Sequence, residues 1–180
     1  MKVLCSHAVD IAAPAEQVFE RVNDLTRWPA WFGCVVSASQ PQDQALALGV
    51  EVHVCMHAGR RRWQETLEVT RFITNAFLSF EALYTTARRI DFRVERRGRI
   101  TRLGCSMGYP VYGGLAPAIY DVLVGRRRVR NGLRDSLAHF KNIVEEKAGS
   151  AAAADDLDAL TLTPVAKPAP QVAARPLRVV

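Results

Sequence analysis

From Val50 to Met107 the apolar residues recur at alternate positions, and from Ile119 to Val144 they recur every third or fourth. This change of period constrains the fold more than any other feature of the chain. Val50, Val52, Val54 and Met56 alternate with Glu51, His53, Cys55 and His57, which makes a strand with one apolar and one polar face. Gly59 marks a turn into a strand over residues 63–72, where Leu67 and Val69 share a face. Asn75 precedes another over 77–83, with Leu78 and Phe80 together. Ile90, Phe92 and Val94 alternate with Arg89, Asp91 and Arg93, and Gly98 turns the chain into Thr101, Leu103, Cys105 and Met107. Strands at this spacing, bounded by turn residues, are antiparallel neighbours, each half buried. Ile119, Leu123, Arg126, Arg130, Leu133, Leu137, Phe140 and Val144 then form one stripe on a helix of about seven turns.

The start of the chain completes the pattern. Val3, Cys5, His7, Val9 and Ile11 alternate as a first strand, which Pro14 ends. Pro14 also opens a helix with Val18, Phe19 and Val22 as its buried stripe. Asp24 caps a second short helix through Trp28, Trp31 and Phe32, closed by Gly33. One strand, two short helices, six strands and one long helix make an α+β fold with helices packed on a single antiparallel sheet.

Composition changes after Lys147. Residues 148–180 hold ten Ala and four Pro and no aromatic residue, too little apolar surface to offset the entropy of ordering them. The expected division is therefore a folded domain over 1–147 and a flexible Ala/Pro-rich tail over 148–180, a segment that could serve as a regulatory interaction module. The tail is charge-neutral, so the net charge of +6 belongs to the domain. Only four of the 24 basic residues are lysine, which fits the mutational bias of a GC-rich genome. Cys5, Cys34, Cys55 and Cys105 show no CxxC spacing, which points to reduced thiols in a cytoplasmic protein. No apolar run is long enough for a membrane span or a secretory signal.

The segments Ile11-Ala12-Ala13-Pro14-Ala15-Glu16-Gln17-Val18-Phe19, Asp24-Leu25-Thr26-Arg27-Trp28-Pro29-Ala30-Trp31-Phe32 and Glu68-Val69-Thr70-Arg71-Phe72, with the closing helix over 130–146, resemble the START/Bet v-like superfamily. That superfamily, also called SRPBCC, includes bacterial polyketide cyclase/dehydrase proteins. The resemblance implies a helix-grip fold: a curved antiparallel sheet of six to seven strands wrapped around a long C-terminal helix, with an apolar cavity between them. It implies a hydrophobic small molecule as ligand, whether polyketide, lipid or quinone-like, and either cyclase/dehydrase activity or non-catalytic carriage. It calls for no cofactor. Trp28, which borders the cavity in that family, offers a flat face for a polyaromatic or polyene ligand. Leu67, Phe80 and Phe92 are its expected apolar lining, and His7, Tyr109, Tyr112, Arg126 and Arg130 its polar handles. No residue is assigned as catalytic.

Other chemistry finds little support. His53, Cys55 and His57 share a strand face but lie about 6.6 Å apart in succession, whereas a metal needs several ligands within about 2.3 Å of one point. That face is opposite the apolar one, so solvent-facing side chains are expected and no metal site. No nucleophile elbow, phosphate loop or HExxH motif is present. Arg60-Arg61-Arg62, Arg96-Arg97-Arg99 and Arg126-Arg127-Arg128 lack the interleaved aromatic residues that nucleic-acid binding requires. They form a solvated rim, or face an acidic acyl carrier protein or an anionic membrane surface.

Overall fold

The computed structural model describes residues 2–41, 44–84, 88–110 and 124–161, with side chains as far as Ala148. Seven strands form one antiparallel sheet in the order β1-β7-β6-β5-β4-β3-β2. They are β1 (Lys2–Ile11), β2 (Val35–Ser39), β3 (Glu51–Ala58), β4 (Arg61–Ile73), β5 (Phe77–Ala82), β6 (Arg89–Arg97) and β7 (Ile100–Pro110). From β2 to β7 each strand pairs with the next in sequence, and short turns join β3 to β4, β4 to β5 and β6 to β7. Gly59, Asn75 and Gly98 occupy those turns with positive φ, a conformation that glycine and asparagine reach with least strain. β1 closes the far edge by pairing with β7 from Lys2↔Pro110 to Ile11↔Thr101.

The helices follow the sequence signals. α1 (Ala15–Asn23) buries Val18, Phe19 and Val22, and the Phe19 ring meets Phe72 edge-on at 5.7 Å. The Asp24 side chain accepts a hydrogen bond from the Thr26 amide, capping a 3-10 turn over Leu25–Arg27 that leads into α2 (Trp28–Trp31). α3 runs Arg126–Thr161. It buries Leu133, Leu137, Phe140 and Val144, the spacing of one helical face. The sheet is curved around this helix. The alternate residues of the strands (Val52, Val54, Leu67, Val69, Leu78, Phe80, Ile90, Phe92 and Leu103) join the helices in one core.

Two features go beyond what the sequence marks. The sixth strand expected after the short helices lies at Val35–Ser39, where no apolar alternation marks its place; it is an edge strand with a bulge between Val35 and Ser37. The backbone is also helical through Thr161, past the composition change at Lys147. Ala151–Ala154, residues of the highest helix propensity, account for that continuation. Met1–Ala148 makes one compact unit and Gly149–Val180 a second. Residues 162–180, the rest of the expected tail, lie outside the described residues, as do 111–123 with Tyr112 and the first positions of the expected long helix. Among the described residues no helix is long and apolar enough to cross a membrane.

Candidate functional site: a cavity between the sheet and the long helix

A cavity of about 780 Å³ opens between α2, the β3–β4 hairpin, the end of β7 and the first turns of α3. Its wall is mostly apolar: Trp31 and Phe32 from α2 and the residue after it, Met56 from β3, Trp63 from β4, Met107 from β7, and Val129 and Leu133 from α3. The aromatic side is rigid. Trp31 stacks on Phe32 at 5.1 Å with nearly parallel planes, and the Phe140 ring meets Trp31 edge-on at 4.7 Å. Ser136 holds the loop after α2 against α3: its hydroxyl accepts from the Gly33 amide at 3.0 Å and donates to the Gly132 carbonyl at 2.7 Å.

Gly132 lies on the lining, and a Cβ built on it would meet nothing within 4 Å. Helix packing therefore does not require a glycine there, although glycine in a helix interior costs roughly 0.5–1 kcal/mol relative to alanine. The effect of the missing side chain is empty volume. The indole Nε1 atoms of Trp31 and Trp63 are buried without a hydrogen-bond partner among the described residues. Each such donor costs about 1–3 kcal/mol of desolvation, so this wall is not packed for stability alone.

Polar groups gather at specific points. The Arg88 guanidinium lies 4.9 Å from the centre of the Trp63 ring and pairs with the mostly buried Glu65 carboxylate. Tyr109, His57, His139 and Arg128 also border the cavity. Cys34 lies on the wall, and desolvation by burial pushes its thiol up to about 12. Burial likewise raises the neighbouring thiol of Cys105 well above its ordinary value. All four cysteines are free.

The residues expected to line the site are distributed differently. Tyr109 borders the cavity. Trp28 does not: it is fully buried, its Nε1 donates to the Val22 carbonyl at 2.8 Å, and Phe80 and Phe92 meet it edge-on at 5.2 and 5.6 Å. Leu67, Phe80 and Phe92 are likewise sealed in the core, where the Trp28 ring covers Phe80 and Phe92. Arg126 is half-buried at the start of α3, its carbonyl 3.8 Å from the Cys5 thiol, and Arg130 is exposed; neither reaches the cavity, and Arg128 does. His7 borders a different hollow of about 810 Å³ whose walls include Phe77, Arg71, Arg89, Asp91 and Arg93. His57 was expected on the solvent face and borders the cavity where β3 runs out at its rim. His53 is exposed with Nδ1 3.2 Å from the Thr66 hydroxyl, and among the described residues no three potential metal ligands converge.

Trp31, Met56 and Met107 stand in the sequence as apolar-face residues without a ligand role, and nothing in the sequence marks Trp63, Arg88 or Gly132 as lining. Trp63 and Glu65 continue the alternation of Leu67 and Val69, so the inward phase of β4 was readable. The pairing of Arg88 with Glu65 was not, since it crosses β5.

A curved seven-stranded antiparallel sheet, a long C-terminal helix packed in its concavity and short helices after the first strand define a helix-grip protein of the START/SRPBCC type. Solved structures share this fold at low identity. The protein TTHA0849 from Thermus thermophilus superposes with a TM-score of 0.63 at 16% identity, covering 79% of this chain and 97% of its own. A START superfamily protein from Mycobacterium smegmatis gives 0.54 at 15%, covering 82% and 98%. The Zhui aromatase/cyclase from Streptomyces sp. R1128 gives 0.56 at 15%, covering 80% and 96%. Comparison with curated proteins gives no match. The family described as polyketide cyclase / dehydrase and lipid transport matches residues 3–145, and the chain belongs to it.

Proposed function

We propose that the domain binds an apolar small molecule, of polyketide, lipid or quinone type, in the cavity between the sheet and α3. One observation carries the reading: the wall offers aromatic rings and thioethers around a volume that Gly132 leaves empty. Concave apolar space with a few polar groups at defined points is the usual form of a small-molecule site. Trp31 and Trp63 supply flat faces, and Met56 and Met107 adapt to irregular shapes. A ligand bearing oxygen atoms at one edge finds donors at Tyr109, Arg128 and the two histidines.

The experiment fills the space. Gly132→Phe places a ring on the lining at a position where a Cβ meets no neighbour within 4 Å, and binding of an apolar fluorescent probe is titrated in both proteins. Loss of probe binding with an unchanged circular dichroism spectrum supports the cavity. Equal affinity in the two proteins places the ligand elsewhere. Extraction of the native protein into organic solvent, followed by mass spectrometry, identifies what the cavity holds.

A second reading, cyclisation or dehydration of a polyketide, is favoured by His57, His139, Tyr109 and Arg88 on the same cavity. Enolisation needs a proton acceptor and a cation near the forming oxyanion, and those groups supply both types. Turnover of an oxygenated polyketide model compound distinguishes an enzyme from a carrier, which binds and releases its ligand unchanged.

A further inference from the structure

Two of the arginine clusters in the sequence meet at one rim of the cavity. The register of the sheet sets the end of β3, the start of β4, the end of β5 and the start of β6 on the same side of the molecule. α3 begins there, and Arg128 packs so closely on the β3–β4 turn that a Cβ on Gly59 would lie 3.3 Å from its guanidinium nitrogen. Arg60, Arg61, Arg62, Arg127 and Arg128 are all exposed. None of the five has a carboxylate partner among the described residues. Elsewhere on the sheet several arginines are paired, Arg89 with Glu81 and Asp91, Arg93 and Arg97 with Glu95, and Arg102 with Asp10, while Arg71, Arg96 and Arg99 have no carboxylate partner among the described residues.

Exposed apolar side chains accompany the rim. Leu83 and Tyr84 follow β5 at this end, 38% and 84% exposed, and Val124 lies just before α3 at 43%. An anionic bilayer uses both the charges and these side chains, with phosphates for the guanidinium groups and an interfacial layer in which tyrosine and aliphatic residues partition favourably.

We infer that this rim docks onto an anionic lipid surface, with the cavity mouth turned toward the membrane. The inference deepens the cavity reading by naming where the ligand is taken up or delivered, and docking itself does not depend on a bound ligand. Each arginine near such a surface is worth about a fivefold change in partition, and the effect is screened by salt.

The test is sedimentation of the full-length chain with phosphatidylcholine vesicles and with vesicles that also contain phosphatidylglycerol. Binding is expected only to the anionic vesicles and is lost at high salt. Arg60→Glu/Arg61→Glu, and independently Arg62→Glu/Arg127→Glu, should lower the partition more than tenfold. Tyr84→Ser should lower it several-fold with no change of charge. None of these residues lines the cavity, so unchanged binding of a soluble apolar probe shows that the variants are folded. Equal binding to the two kinds of vesicle, no binding to either, or indifference to both charge reversals overturns the inference. Salt-sensitive retention on an acidic protein, without vesicle binding, also overturns it and assigns the rim to a protein partner. Failure of the wild-type chain to bind the soluble probe would count against the cavity and leave the vesicle result standing.

Discussion

The thiol of Cys34 reports on the cavity wall at the scale of a single residue. Desolvation by burial, only partly offset by a backbone hydrogen bond and the nearby Arg88 charge, raises it to about 12 from an ordinary value of 9.0. Thiolate is the reactive form. The rate of Cys34 alkylation, followed by mass spectrometry of its peptide, should rise about tenfold per pH unit above neutrality and show no plateau near pH 9. A plateau there would mean that the side chain is solvated. The sign for stability follows from linkage. The unfolded thiol ionises first, so the contribution of a neutral Cys34 is complete below about pH 9 and is lost as pH rises toward about 12. Gly132 gives a second residue-scale expectation. Because a Cβ there meets nothing within 4 Å, Gly132→Ala should stabilise the protein by roughly 0.5–1 kcal/mol in urea unfolding, through reduced freedom of the unfolded chain and better helix propensity. A loss of stability would show that the glycine is a packing requirement and not a vacancy kept for ligand.

Among the elements, α3 ties the sheet to the cavity. Phe140 is fully buried and its ring lies against Trp31, so Phe140→Ala should cost about 3–5 kcal/mol in chemical denaturation. A loss below about 1 kcal/mol would place the ring outside the core. The face carrying Leu133, Leu137, Phe140 and Val144 was legible in the sequence because its 3.6-residue period is set by burial against the sheet. The same stripe extended upstream points to Arg126 and Arg130, and there the pattern misleads. The first turns of α3 border the open cavity, so position on the stripe no longer means packing, and Arg128 on the neighbouring face reaches the mouth instead. Five of the strands after α2 were readable as alternation, whereas Val35–Ser39 was not, because an edge strand buries only its first residue fully. The cavity wall was the least legible part. Trp31, Trp63 and Met107 come from three elements, and only the sheet register and the placement of α3 decide that they face one volume.

At the scale of the whole molecule, the core and the cavity both lie within Met1–Ala148. Among the described residues every side chain of the hydrophobic cluster falls in that span, and Ala148 packs against it. The sequence beyond it, residues 149–180, is rich in alanine and proline and holds no aromatic residue, too little apolar surface to add much to a core. A chain ending at Ala148 should therefore unfold at the same denaturant midpoint, and with nearly the same slope, as the full-length chain. The slope scales with the surface exposed on unfolding, so it distinguishes a lost core contact from a lost peripheral helix. Ligand linkage adds an independent readout. A molecule that binds only the folded state stabilises it by about 2.7 kcal/mol when present at a hundredfold its dissociation constant. If the cavity is complete within the first unit, an apolar probe should raise the stability of the truncated and full-length chains by the same amount, and should leave Gly132→Phe unchanged. A truncated chain that keeps its midpoint but loses the ligand-dependent rise would show that residues beyond Ala148 complete the site. A fall in midpoint without ligand would show instead that they complete the core.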